Sequence, residues 1–368
     1  MHALRLFCFS LLLILSACSD PITDVGLDLL EDETSAQVIQ SPIVSFSESS
    51  RTDITGAAGR VLVGSVDDPL TGQITANAFL DYEGTFDGAP SDEITEVRLI
   101  FSQDYRYGDT LQSVTLGVHE ILEEWNDRGG QSDTQLNLDS ELLTVTLSDL
   151  RTTIILPDSW VQEHAELLKG DEFDAKFHGF ALIQKENGQV IGLNSETSSL
   201  AVVTSSGTST FDVAATLTQI NRLSTAQVPD GLVLFQDGAG PFIDLIFDIE
   251  ASKNKPINGA VVSLHALDRQ PTPQHFVRPV ADSLDLIAVP VDDDLVPFRV
   301  GAAQLINGEY RFTGAVVNVF FQSIIFGNQE VKHLELRAPQ NVNSLNSVFL
   351  YGLDDRDKAP SLTLILPP

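Results

Sequence analysis

Residues able to do chemistry are sparse or scattered in this chain of 368 residues. It has two cysteines, Cys8 and Cys18, and its histidines after Cys18 are His119, His164, His178, His265, His275 and His333. None of these stands in an HxH or HExxH spacing, so the sequence gives no support for a zinc site. Carboxylates are abundant: 52 Asp and Glu against 21 Lys and Arg, a formal charge of −31. Glu123 and Glu124 beside Trp125 suggest a glycosidase pair, but adjacent strand residues point to opposite faces and cannot flank one bond. Asp244 and Asp248 share a strand face that Glu250 continues, which in so acidic a chain reads as solvated surface. Acidic loops at Asp292–Asp294 and at Asp354, Asp355 and Asp357 offer the hard oxygen ligands that Ca²⁺ takes. They lack EF-hand spacing, and Arg356 and Lys358 oppose a cation, so solvated turns are expected and structural calcium is the alternative. Tyr105 and Tyr107 flank Arg106, and read either as strand-end packing or as rings that stack on a sugar. No P-loop, dinucleotide-binding glycine fingerprint or G-x-S-x-G elbow is present.

Cys18 sits where an oily stretch turns acidic. Arg5 precedes an apolar run from Leu6 to Leu15, interrupted by Cys8 and Ser10 and too short to span a bilayer as a helix. The following Leu15-Ser16-Ala17-Cys18 resembles a bacterial lipobox. The resemblance implies that lipoprotein signal peptidase recognises Leu15, Ser16 and Ala17 and removes residues 1–17. Cys18 then becomes the N-terminus, with a diacylglycerol on its sulfur and an acyl chain on its amine. Several chains anchor stably where one would be marginal. Such a mature chain has no free thiol for a disulfide, a zinc–thiolate site or a nucleophile. No cofactor is expected beyond these lipid groups. Ser19-Asp20 is similar to the surface-export signals of Bacteroidetes-type lipoproteins, which implies the outer membrane and its outward face.

The charge agrees with a tethered envelope protein. A strongly acidic surface repels nucleic acid phosphates, so a nucleic acid partner is not expected. Anionic headgroups would repel it too unless a covalent tether held it down. Seven Lys stand against fourteen Arg, which suits either a salty habitat or an acidic extracellular protein. After residue 17 no apolar run approaches a membrane span.

The dominant pattern of the body is alternation. In "EITEVRLIFS" Val97, Leu99 and Phe101 share one face, and in "SVTLGVHEIL" Val114, Leu116 and Val118 do. Turns such as "DDPLTG" and "KENGQ" separate such runs. The pattern predicts a mostly β chain of sandwich type. Two stretches read as helices. "PDSWVQEHAELLKGD" has Asp158 as N-cap and Gly170 as terminator, with Trp160, Val161, His164 and Leu167/Leu168 along one side. "TGAVVNVFFQSIIFGN" has Val316/Val317, Phe320/Phe321 and Ile324/Ile325 at helical spacing, with strand as the alternative. The two halves look like copies: Val97 matches Ala260, and Leu200 in "SSLAVV" matches Leu362 in "PSLTLI". The expected layout is a signal peptide at 1–17, an acidic tether at 18–40, and two tandem jelly-roll-like β-sandwich domains, 41–206 and 207–368, each with a short helix.

Taken together, the lipobox, "DVGLDLL", "VGSVDDPLTGQITANAF", "ITEVRLIFSQDYRYGDTLQSVTLGVHEI", "FDAKFHGFALI" and "VFLYGLDDRDKAPSLTLIL" resemble the DUF4270 lipoproteins of Bacteroidetes and relatives. The layout is also similar to jelly-roll modules of the DNRLRE and carbohydrate-binding kind. The resemblance implies class and location rather than an activity: a lipid-anchored outer-membrane protein. The leading expectation is a non-enzymatic binding or envelope-assembly component, with an envelope protein or a glycan as partner. The alternative is a polysaccharide-acting enzyme or carbohydrate-binding accessory, and a third reading is a structural spacer.

Overall fold

The computed structural model describes residues 37–367, apart from 50–51, 187, 225–226, 239, 241, 269–271, 293 and 340–342. The chain is mostly β, built on large antiparallel sheets of the sandwich class. It begins with β1 (Gln37–Ser41) and β2 (Ile43–Ser49). The first half then runs β3 (Arg60–Asp68), β4 (Gly72–Glu83), β5 (Ile94–Asp109), β6 (Val114–Ile121), β7 (Leu138–Leu147), β8 (Arg151–Ile155), α1 (Asp158–Lys169), α2 (Phe173–Lys176), β9 (Phe180–Gln184), β10 (Gln189–Asn194), β11 (Ser199–Thr204) and β12 (Thr208–Arg222). The second half runs β13 (Leu232–Gln236), β14 (Phe242–Phe247), β15 (Gly259–His265), β16 (Phe276–Val277), β17 (Ser283–Pro290), β18 (Phe298–Ile306), β19 (Glu309–Phe312), α3 (Ala315–Ile325), β20 (Val331–Arg337), β21 (Ser347–Tyr351) and β22 (Ser361–Leu366).

The alternation seen in the sequence is what fills the cores. Val97, Leu99 and Phe101 of β5 are buried together with Val114, Leu116 and Val118 of β6, because side chains two apart share a strand face. Helix α1 covers this core with Trp160, Val161 and Leu168. Its N-cap is Pro157 rather than Asp158: the ring holds φ at −59°, ψ is extended, and the Pro157 carbonyl accepts from Val161 N at 3.1 Å. Asp158 is instead the first helical residue, where its charge favours the helix N-terminus. The ambiguous second stretch is a helix, α3, which starts after Gly314 at φ 108° and buries Val317, Phe320, Phe321 and Ile325. Tertiary burial of one stripe outweighs the β preference of its valines.

The halves repeat in pairing as well as in order. In the first, β5 pairs β11 with Val97 opposite Val202 and Leu99 opposite Leu200. In the second, β15 pairs β22 with Ala260 opposite Leu364 and Val262 opposite Leu362. The β5–β8, β6–β7, β6–β9 and β4–β9 pairs likewise correspond to β15–β19, β17–β18, β17–β20 and β14–β20.

One correspondence breaks chain order. In the first half the long β12 closes the sheet, pairing β11 through its opening residues and β4 through the rest. In the second half the same two positions, beside β22 and β14, are filled by β1 and β2 from the start of the chain. Residues 37–40, expected in the tether, therefore lie in a strand, and residues 37–49 belong to the second half's sheet. Residues 208–222, expected to open the second unit, belong to the first. Without β1 and β2 the outer backbone edges of β22 and β14 would lose their ladder partners; with them, β1 and β2 are the two ends of the nine-stranded sheet.

Candidate functional site

The halves meet along a seam where two loop-proximal stretches of the first half face residues of the second. Asp68 ends β3 and opens the turn "DDPLTG"; its carboxylate accepts from the Leu70 backbone N–H at 2.8 Å. Tyr107 lies near the end of β5, where Gly108 adopts φ 119° and a Cβ would stand 2.5 Å from the Gly188 carbonyl oxygen. Its hydroxyl donates to Asp68 Oδ2 at 2.8 Å and also shares a hydrogen bond with Thr71. Across the seam, Arg278 grips Asp68 through two bonds, Nε to Oδ2 at 2.6 Å and a terminal nitrogen to Oδ1 at 2.8 Å. Asp68 is fully buried and the Arg278 side chain nearly so. Burial would raise the Asp68 carboxyl, but Arg278, the Leu70 N–H and Tyr107 together hold it below its ordinary value. Burial, with the Asp68 charge beside it, raises the Tyr107 phenol, which stays a neutral donor.

Around this pair, Leu62, Val66, Ile74, Val190, Ile220 and Leu345 form an apolar seam. The Tyr105 hydroxyl accepts from Leu345 N at 3.0 Å, and Arg60 lies 5.1 Å over the Tyr105 ring. The tyrosines around Arg106 are therefore seam packing, and Tyr107 has no surface for a sugar. Beside the ion pair a cavity of about 80 Å³ is lined by Leu70, Leu267, Val280, Leu305 and Phe349, with Arg278 and Asp268 at its polar side. With its guanidinium already held by Asp68, Arg278 gives this cavity little free charge.

A second polar cluster lies close by. Asp237 is half-buried, accepts from the Ser344 hydroxyl at 2.5 Å, and is pushed up to about 8 by desolvation and by the neighbouring Asp53 charge. Burial also raises Asp53. This carboxylate pair carries no pattern in the sequence, since each acid stands alone in its stretch. The cavity they share with Asn343 and Ser344 holds about 20 Å³, room for about one water and not for a sugar ring.

A third cluster, Asp244, His333 and Glu335, brings three ligand-type atoms within 4.8 Å of one another. Asp244 stands opposite Glu335 in the β14–β20 ladder, and His333 Nε2 lies 3.5 Å from Asp244 Oδ1. The alternating His-x-Glu of β20 was the available signal, and its partner on β14 is not visible in sequence. Glu335 is fully buried and already held twice by Arg337, at 2.9 and 3.1 Å. That guanidinium competes with any cation.

The remaining acids expected from sequence are tied to local structure. Glu123 accepts from Asn137 N and Nδ2 at 2.7 and 2.9 Å, and Trp125 Nε1 donates to the His178 carbonyl at 2.8 Å. Asp248 accepts from Glu250 N at 3.0 Å. Asp292 accepts from Asp294 N, and Asp355 from Asp357 N and Lys358 N, so both acidic loops turn carboxylates onto their own backbone. Glu120 joins Trp160 Nε1 at 2.7 Å and His164 Nε2 at 3.2 Å, where the Trp160 and His164 rings stack. Leu15, Ser16, Ala17 and Cys18 lie outside the described residues. Among the described residues no helix is long and apolar enough to cross a membrane. Comparisons of the chain with protein-family models, curated proteins and solved structures give no match.

Proposed function

We propose that this protein is a lipid-anchored component of the bacterial outer membrane, facing the cell surface and serving as a binding or assembly module rather than an enzyme. The observation that carries the proposal is Leu15-Ser16-Ala17-Cys18 at the end of a short apolar run behind Arg5. The absence of any cysteine after Cys18 in the sequence fits that reading. DUF4270-type membership remains part of the same proposal, on the stretches quoted for it. Two of its more distinctive stretches, "GSVDDPLTG" and "YGDTLQSVTLGVHE", meet at the Asp68–Tyr107 contact, which gives them a structural reason to occur together.

The carboxylate chemistry favours a binding role over polysaccharide cleavage. A glycosidase needs two carboxyls about 5–10 Å apart on an open cleft, one holding its proton. Asp53 and Asp237 have the raised proton affinity but sit at an enclosed cavity of about 20 Å³. Glu123 and Glu124 are surface acids, the first committed to Asn137. The test is expression of Cys18→Ser beside wild type in a lipoprotein-processing host. Loss of signal cleavage and of membrane association is expected; unchanged processing and fractionation would refute the anchor. Protease added to intact cells should cleave the wild-type protein, and full protection would refute the outward orientation.

A further inference from the structure

The internal repeat supplies a reference for what a helix at this position should show to solvent. Helix α1 and helix α3 occupy the same place in the two halves, each before the strand that pairs β4 or β14. Aligned from their first residues, the buried stripes agree at their ends, Trp160 with Val317 and Leu168 with Ile325, while between them Val161 stands against Asn318 and buried Phe320 and Phe321 against Glu163 and His164. The outward faces do not. Where α1 presents Ser159, Gln162, Glu166 and Lys169, α3 and its C-cap present Val316, Val319, Ser323 and Phe326. Val316 and Val319 are 64% and 65% exposed. Nearby, Phe298, 37% exposed, packs edge-on at 6.0 Å against Phe320 of the helix's buried stripe. Phe298 in turn adjoins a groove of about 440 Å³ with Leu295 and Val296, the latter 82% exposed. Scattered exposed valines are ordinary; an apolar helix face of Val316, Val319 and Phe326 at positions where its own repeat is polar points to a partner.

The chain's own connection says which partner. Gln37, the first described residue, pairs Leu366, and Ile365 pairs Gly259. Ala260 N then donates to Asn318 of α3 at 2.7 Å, and Ile257 N to Gln322 at 2.7 Å. Two strand spacings, about 10 Å, thus separate the start of β1 from the strand that holds α3. Eighteen residues lie between Cys18 and Gln37, enough for at most about 60 Å of chain. Two exposed lysines, Lys253 and Lys255, border this end, where Asn254 N donates to the Ile325 carbonyl and Gln322 to the Lys255 carbonyl; Lys253 is paired with Glu250 at 3.3 Å. Exposed apolar side chains with lysines at one end suit the boundary between acyl chains and phosphate headgroups, although the groove beside Phe298 also carries Asp292 and Glu330.

We propose that the exposed face of α3, with Phe298, Leu295 and Val296, seats on the lipid surface to which Cys18 is anchored, so that the second half lies against the membrane and the first projects from it. This proposal rests on the lipid-anchor reading, and its test imposes the anchor chemically so that the two can fail separately. The chain from Cys18 onward has a single thiol, which can be coupled to maleimide-bearing lipid in phosphatidylcholine vesicles. In that setting Val319→Trp is expected to be quenched by nitroxide-labelled phosphatidylcholine about threefold or more beyond Leu150→Trp, an exposed reference in the first half, after subtraction of the wild-type signal. A Val316→Asp, Val319→Asp double variant, changed only at exposed positions, should lose the hydrogen-exchange protection that coupling confers on 315–326. Equal quenching at the two tryptophan positions would overturn the proposal. So would shielding of Val319→Trp without lipid quenching accompanied by cross-linked pairs, which would give the face to a second copy. Unaltered protection in the double variant would also overturn it.

Discussion

Asp68 shows how one buried charge can hold two halves of a chain in register. Its carboxylate is fully enclosed, yet Arg278, Tyr107 and the Leu70 N–H satisfy it from three sides. Breaking a buried pair leaves an uncompensated charge, so Arg278→Ala should lower unfolding stability by about 3–5 kcal/mol. Replacing both partners with apolar residues, as in Asp68→Leu with Arg278→Met, should recover part of that loss; denaturant titration of the three proteins decides it. Asp237 behaves oppositely. Its folded carboxyl titrates near 8 against an ordinary 3.8, so the native state binds the proton more tightly than the unfolded chain. Stability from this group is full below the ordinary value and is lost as pH rises through about 8. Asp237→Asn should therefore flatten the decline of Tm between pH 5 and 9 and gain on the order of a few kcal/mol at the alkaline end. Parallel profiles for wild type and variant would contradict that.

Elements differ in how much of their origin a sequence displays. The strands around Val97, Val114 and Leu362 could be read directly, because alternation is a local property and each run buries the face it announces. The halves' likeness was also readable, since Leu200 and Leu362 stand at matching places in matching ladders. Closure by β1 and β2 was not, because partner choice across more than three hundred residues for β1 and about two hundred for β2 leaves no local trace. The same holds for Asp53 with Asp237 and for Asp244 with Glu335, where each acid is ordinary until the fold places its neighbour. If β1 and β2 complete the second half, a chain starting at residue 52 should lose hydrogen-exchange protection in β14, β15, β20 and β22 while β5, β6 and β9 keep theirs. Phe46, buried in the second core, goes with the deleted strands. Retained protection in β14 and β22 would show that the strands merely decorate the edge.

At the scale of the molecule, chain order and charge acquire a common sense. Residues 37–49 form the closing strand pair of the second half, so under the proposed anchor a pull on Cys18 would be transmitted through residues 19–36 to a sheet. Extended antiparallel ladders on both sides of β22 would carry that load into the core. An acidic body is repelled by anionic headgroups, which under the proposal leaves the apolar α3 face as its point of contact. All of this depends on Cys18 being the attachment point, and one measurement addresses it most directly. Mass spectrometry of the N-terminal peptide, from native protein extracted out of membranes, should find Cys18 as the first residue, carrying a thioether-linked diacylglycerol and an amide-linked acyl chain. A chain that begins elsewhere, or a Cys18 without those lipids, would contradict the account.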